Sequence, residues 1–241
     1  MLKCTKIFIL LLFAFTEVLA QKHGRDVKDL DYDAETTFGL NFNTNAILIG
    51  GVNFRYSKRS ETTNFNTFYL ELVTINHPKE FLDQNEGGDA FKFGKMNYFF
   101  VMRPSYCKEK VLFRKNNDEG IQLNWLYGAG PSIGFISPYY VKYGNDSATF
   151  VQFKPTNQQS ISQIYTKGGM FYGFTDSDLT MGIHLRSSLL FEYGTYKSNL
   201  TGIEIGVVAE AFTKKIPIMA YSNNRSAFFT IFAAIYFGRR S

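Results

Sequence analysis

No stretch of this chain restricts its fold more than Leu179–Tyr193. Met181, Ile183, Leu185, Leu189, Phe191 and Tyr193 fall on one parity, and Thr180, Gly182, His184, Arg186, Ser188, Glu192 and Gly194 fall on the other. A period of two puts these sets on opposite faces of a strand, whereas a helix would mix them. The next run repeats the pattern, with Ile203, Ile205, Val207, Ala209 and Ala211 against Gly202, Glu204, Gly206 and Glu210. Two neighbouring strands with carboxylates, a His and an Arg on one side and aliphatics on the other suit a barrel in a membrane, apolar outside and polar within.

Composition agrees. A chain of 241 residues with 45% hydrophobic residues, 17% aromatics and 20 Gly reads as one β-rich domain. A mean hydropathy of -0.15 is too low for a helical membrane bundle and ordinary where every second residue is polar. No internal segment offers the roughly 20 continuous apolar residues of a membrane helix. The net charge is +5, but Lys and Arg are scattered rather than gathered in a stripe, so nucleic acid is not expected as a partner.

Lys3 and Lys6 precede the apolar run Ile7 to Phe15, and Val18-Leu19-Ala20 stands before Gln21, which is the pattern of a cleaved signal peptide over 1–20. The run is too short to span about 30 Å of hydrocarbon. Residues 21–35 are charged and poor in apolar side chains, and read as a flexible lead-in to a barrel domain over 36–241. Cys107 is then the single mature cysteine, which leaves no internal disulfide. His23 and His77 are isolated, and neither a metal site nor a cofactor is expected.

Eight alternating strands can be placed: Thr36–Thr44, Leu48–Ser57, Asn64–Ile75, Met96–Pro104, Ile121–Phe135, Leu179–Tyr193, Ile203–Ala211 and Ser226–Gly238. Pro131 interrupts the fifth and predicts a bend or bulge. Ser105–Gly120 is charged around Val111, Leu112 and Phe113, and fits either a small hairpin or one helical turn. An even strand number lets the barrel close with both ends of the chain on one side. Short turns at 57–63 and 195–199 belong to that side, and the long connection 137–178 to the other. Thr213–Arg225 reads as a polar connection.

The signal, the eight strands and the aromatic last strand AFFTIFAAIYFGRRS resemble the small outer-membrane barrels of Gram-negative bacteria. GKMNYFFVMRPSYCKEKVLFRK and LYGAGPSIGFISPYY are similar to segments of uncharacterised outer-membrane barrel proteins from the Bacteroidota. The resemblance implies an all-β, antiparallel, up-and-down transmembrane barrel of about eight strands at the outer membrane, and brings no assigned activity. One departure is the end of the chain, where Phe237 is followed by Gly238, Arg239, Arg240 and Ser241 instead of closing it.

Side chains about fill the interior of an eight-stranded barrel. Arg55, Glu71, Arg103, His184, Arg186, Glu192, Glu204 and Glu210 are therefore expected as a paired network plugging the lumen, in a protein with a structural or binding and assembly role. A narrow pore, or a proton-sensitive plug through His184, is the first alternative. A lipid-modifying enzyme is the second, by resemblance to lipid A deacylases, whose catalytic His and Ser face the bilayer. Here His184, Ser188 and Glu192 supply the residue types, but their parity turns them to the lumen, and Ser187 faces outward with no His or acid of its strand beside it on that face.

On the loop 137–178, Tyr139, Tyr140, Tyr165, Phe171 and Tyr172 suit contact with another envelope protein or with outer-membrane lipid, or belong to an interfacial girdle. The triplets at Asn145, Asn199 and Asn224 match the glycosylation pattern by chance. A soluble exported barrel or sandwich produces the same alternation and stays open as an architecture.

Overall fold

The computed structural model describes residues 32–46, 49–61, 63–84, 90–114, 121–143, 150–153, 164–193 and 199–241, without the side chain of Tyr165. The expected signal peptide, most of the charged lead-in, His23 and Asn145 lie outside the described residues.

The described chain is almost entirely strand. In chain order these are β1 (Ala34–Asn43), β2 (Gly51–Glu61), β3 (Asn64–Thr74), β4 (Asn97–Phe113), β5 (Ile121–Pro138), β6 (Tyr140–Tyr143), β7 (Val151–Gln152), β8 (Ile164–Lys167), β9 (Asp178–Tyr193), β10 (Asn199–Phe212) and β11 (Ala227–Arg240). Eight of them, β1 to β5 and β9 to β11, close an antiparallel barrel in which β11 pairs with β1 from Glu35 opposite Arg240 to Asn43 opposite Phe232. Closure leaves no strand edge with unpaired backbone groups. Strands β6 to β8 form a separate three-stranded sheet in the connection between β5 and β9.

Side chains alternate strictly across the wall. In β10 every odd-numbered residue from Asn199 to Ala211 is exposed and every even-numbered one from Leu200 to Phe212 is buried. The outer face carries a chain of cross-strand aromatic partners: Phe237 opposite Phe38, Phe38 opposite Phe54, Tyr56 opposite Phe68 and Phe68 opposite Tyr106. One step closer to the chain-end side, the outer face turns polar, with Thr36 opposite Arg239, Lys58 opposite Asn66 and Asn66 opposite Lys108. On the other side of the aromatics it is aliphatic, through Leu40, Val52, Leu72, Ile205, Ile231 and Ile235, all more than 40% exposed.

Several stretches differ from the sequence expectation, the simplest being the turn expected at 57–63, where β2 runs on to Glu61. Ser105–Phe113 is neither hairpin nor helical turn but the second half of β4, with Cys107, Glu109 and Val111 buried and Lys108 and Lys110 exposed. Its charges masked the period because lysines project outward into the polar ring while a glutamate projects inward. The expected bend or bulge at Pro131 is absent: Gly130, Pro131 and Ser132 pair in register with His184, Ile183 and Gly182. On the β4 side the ladder lapses between Met102 opposite Ile133 and Tyr106 opposite Ala129, then resumes in the same register. That unbroken register sets Pro104 against Pro131, two residues with no N–H to offer, so the wall tolerates the gap without an extra residue.

The end of the lead-in is ordered. Tyr32 is buried and stacks on Phe65 at 5.7 Å between centroids, and β1 starts at Ala34 rather than Thr36. Finally, 213–225 is not simply polar, since Ile216, Ile218, Met219 and Ala220 are all buried.

Gly130 sits at the proline gap, where a Cβ would lie 2.0 Å from the carbonyl oxygen of Pro104. Backbone cannot yield there as a side chain could. Gly130→Val is expected to lower unfolding stability by about 1–3 kcal/mol, in the range of overpacked cores. The single tryptophan, Trp125 on β5, supplies the fluorescence signal for a urea titration in detergent.

Candidate functional site

The candidate site is the barrel interior, which is built in layers. Nearest the chain ends lies a first charged layer. Arg55 Nη1 donates to Glu109 Oε2 at 3.3 Å and its Nη2 stands 3.6 Å from Glu35 Oε2. Arg240 Nε donates to Glu35 Oε1 at 2.8 Å, and its other arm reaches Glu192. Asn124 Nδ2 bridges Glu109 at 2.7 Å and Glu192 at 3.1 Å, while Ser57 and Thr67 hydroxyls add donors to Glu109. One oxygen each from Glu35, Glu109 and Glu192 lies within 4.8 Å of the others. Two guanidiniums already share these carboxylates, so the arrangement is an ion-pair cluster rather than a ligand set for a metal.

Above it Tyr69, Cys107, Leu126, Leu190, Leu200 and Tyr236 make an apolar layer. A second charged layer follows. Arg103 holds Glu210 with Nε at 3.0 Å and Nη2 at 2.5 Å, and Glu71 with Nη1 at 2.7 Å. Arg186 donates to Glu204 at 3.2 Å, with its guanidinium 3.6 Å from the centroid of the Tyr69 ring. Ser188 Oγ and Tyr69 OH both donate to Glu204, at 2.7 and 3.2 Å, and Asn41 Nδ2 donates to Glu71 at 2.7 Å. His184 is held between Ser105 Oγ, 2.7 Å from Nε2, and Ser132 Oγ, 3.0 Å from Nδ1.

All eight charged residues read from the sequence, Arg55, Glu71, Arg103, His184, Arg186, Glu192, Glu204 and Glu210, therefore project inward and are buried. The structure divides them between the two layers: Arg55 and Glu192 in the first, the other six in the second. Three members escaped the sequence reading. Glu35 fell in the lead-in, Glu109 in the unassigned 105–120 stretch and Arg240 in the tail beyond the last placed strand. Each continues the inward parity of its strand, Glu35 with Thr37, Glu109 with Arg103 and Cys107, Arg240 with Tyr236, so extending the period by a few residues would have found them.

A cap closes the opposite end. Val73, Ile75, Phe99, Val101, Ile136, Phe212, Ile216, Ile218 and Met219 form one buried cluster, with the Phe99 ring edge-on to Phe212 at 5.1 Å. The connection 213–225 is drawn into the mouth by backbone bonds: Met96 N donates to Ile218 O at 2.9 Å and Ala220 N to Gly94 O at 2.7 Å. Asn224 locks it, its Oδ1 accepting from the Ile218 and Met219 amides and its Nδ2 donating to Met219 O. His77 is not isolated, for its Nε2 meets Ser222 Oγ at 3.1 Å and its Nδ1 accepts the Lys79 amide.

On the rim, Glu80 takes Lys92 Nζ at 2.5 Å and Lys95 Nζ at 2.7 Å, and Lys95 lies 4.6 Å from the Tyr98 ring centroid. Burial pushes the Lys95 pKa down to about 8 against the pull of Glu80. Glu80 is held below the ordinary carboxylate range because Lys95 and the hydrogen bonds from both lysines outweigh its own desolvation.

The loop aromatics separate. Tyr139 is buried, its hydroxyl accepting the Lys92 amide at 3.0 Å, and so is not offered to a partner. Tyr140 donates to Asp176 at 3.0 Å and packs on Tyr172. Phe171 and Tyr172 are 69% and 57% exposed, and Phe171 stacks on Phe100 of the outer wall at 5.8 Å. Tyr165 lies in β8 with its side chain outside the described part.

His184, Ser188 and Glu192 do not converge, since each is bound to different partners: Ser105 and Ser132, Glu204, and Arg240 with Asn124. Outward-facing Ser187 accepts the Trp125 indole N–H at 3.0 Å.

With this geometry in view, the fold is similar to three solved β-barrels of the outer membrane. They are Neisserial surface protein A (8% identity, 87% of this chain and 97% of that one, TM-score 0.38), the N-terminal barrel domain of Pseudomonas aeruginosa OprF (6%, 86% and 97%, 0.37) and Ail, the attachment invasion locus protein of Yersinia pestis (10%, 87% and 99%, 0.37). Likeness at this level gives no residue a role. No protein-family model matches the chain, and no curated protein sequence does.

Arg103→Met would strand Glu71 and Glu210 in the second layer. It is expected to cost about 3–5 kcal/mol in urea unfolding, the range for breaking a buried ion pair from one side. For the rim, the folded pKa of Lys95 lies below its ordinary 10.5, so its ammonium is fully penalised below about pH 8 and relieved as pH rises towards 10.5. Stability should therefore increase across pH 8–10.5, and the Lys95→Met variant should lose that increase in the same assay.

Proposed function

We propose that this protein is an integral outer-membrane β-barrel with a structural or binding role, exported through a signal peptide and closed along its axis by the charged layers and the apolar cap. The observation that carries this reading is the inverted distribution of polarity around the closed wall. A soluble barrel of this size would bury its aliphatics and expose its charges. Here Phe38, Phe68, Leu185, Ile203, Ile231 and Phe237 are between 49% and 65% exposed, while Arg55, Glu71, Arg103 and Glu204 are no more than 2% exposed. An outward apolar band bordered by aromatics, with polar residues beyond, is the pattern lipid requires of a barrel.

The polar ring lies at the end where the chain starts and stops, joined by the short connections 62–63, 114–120 and 194–198. That end faces the periplasm, and the long connections 75–96, 139–177 and 213–226 are external. The resemblance of two segments to Bacteroidota barrels fits this placement. Exposed Phe171 and Tyr172 are the loop residues available to an envelope partner. Catalysis is not part of the reading: inside the barrel His184 is buried, with its two ring nitrogens engaged by Ser105 and Ser132.

Unboiled protein in a detergent gel is expected to migrate faster than the boiled sample, as closed barrels do, and equal mobility would count against membrane residence. In planar bilayers the same preparation should give no current above background, because the two charged layers and the cap leave no continuous path. Steady single-channel steps would replace the closed lumen with the narrow-pore alternative.

A further inference from the structure

Where β3 and β4 reach the outer rim, the wall holds a cleft of about 190 Å³. Its apolar lining is Ile49, Tyr98, Phe99, Phe100 and Met170, with Thr74, Asn76 and Lys92 as its polar lining. Tyr98 and Phe100 have the outward parity of β4, and Phe100 pairs with Phe135 on the outer face of β5. The cleft thus opens away from the lumen, on the face that carries the apolar band.

Met170 closes it from the loop side. The segment carrying it is pinned to the wall by Phe171 stacked on Phe100 and by Phe174 stacked on Phe135 at 6.0 Å. Even so, Ile49 remains 55% and Met170 48% exposed, which is apolar surface left without a protein neighbour.

The polar end is cationic. Among the described residues, Lys92 and Lys95 share the single carboxylate of Glu80, which leaves this trio one positive charge in excess. Lys95 is fully buried, so the excess is presented through Lys92, whose ammonium has three donors and spends one on Glu80. Burial is what depresses the pKa of Lys95 to about 8, with a smaller push in the same direction from the Lys92 ammonium and an opposing pull from Glu80.

Apolar sides continuous with a lipid-facing band and a cation at the outer end match one kind of occupant. We propose that the cleft binds a membrane lipid with an anionic headgroup, one acyl chain lying along Ile49, Tyr98, Phe100 and Met170 and the phosphate at Lys92. The proposal rests on the membrane reading given above, and it adds the chemical class of a ligand and the residues that select it.

The test is native mass spectrometry of the purified barrel in detergent, titrated with phosphatidylglycerol and with phosphatidylcholine of the same chains. One phosphatidylglycerol per barrel is expected, held about fivefold more tightly than phosphatidylcholine, the effect of one lysine near an anionic headgroup. Lys92→Gln should bring the two lipids to equal affinity. Met170→Asp, a change at a half-exposed position that does not threaten the fold, should abolish phosphatidylglycerol retention.

Equal affinity for both lipids in the unaltered protein would overturn the proposal, as would both variants retaining full selectivity. Equally tight binding of a short-chain phosphatidylglycerol would overturn the acyl half of the site. Absence of lipid selectivity in the unaltered barrel, with heat-modifiable migration intact, refutes the cleft alone. Loss of heat-modifiable migration refutes the membrane reading beneath it.

Discussion

An eight-stranded wall encloses a cylinder that side chains fill, and every second residue of that wall points into it. The inward charged groups therefore take their partners from protein, because there is no room for bulk water to solvate them. This requirement explains the interior better than any single contact does. The buried carboxylates Glu35, Glu71, Glu109, Glu192, Glu204 and Glu210 outnumber the guanidiniums of Arg55, Arg103, Arg186 and Arg240. The shortfall is met by neutral donors: Asn41, Asn124, Ser57, Thr67, Ser188 and Tyr69 all give hydrogen bonds to those oxygens. Arginine suits this work because its forked donors let one cation serve two acids, as Arg103 does between Glu71 and Glu210.

The layering follows from the same rule. Charged layers are separated by the Tyr69–Leu126–Leu190 layer and ended by the Phe99–Ile216–Ile218 cap, so each ion-pair cluster is screened by apolar packing instead of water. Aromatic rings work on both sides of that division. Tyr69 offers its face to Arg186 and its hydroxyl to Glu204, which ties the apolar layer to the charge above it. The cap is supplied by a connection and not by a strand. Asn224 supports this by accepting from the backbone amides of Ile218 and Met219 and donating to the Met219 carbonyl, which satisfies backbone groups buried at the mouth.

Much of the wall was legible because period-two alternation is a local property. Leu179–Tyr193 and Ile203–Ala211 announce their faces without reference to any other part of the chain. The reading failed where local chemistry hid the period. Lys108 and Lys110 made the second half of β4 look like a charged loop, although they mark the place where the wall leaves its apolar band. Pro131 looked like a bulge because its partner across the gap, Pro104, lies far away in sequence. Tyr139 looked like a ligand-facing aromatic, and it is buried against Lys92 and the small β6–β8 sheet.

What the amino-acid sequence determined by itself was the strand count of the barrel, the inward or outward sense of each placed strand, and the identity of seven of the charges, with His184, that had to be enclosed. Those depend on neighbours two residues apart. Which acid meets which base was decided only by the tertiary structure, because the pairs join residues as distant as Glu35 and Arg240 or Arg103 and Glu210. Only barrel closure brings them together, by setting the stagger of all eight strands at once.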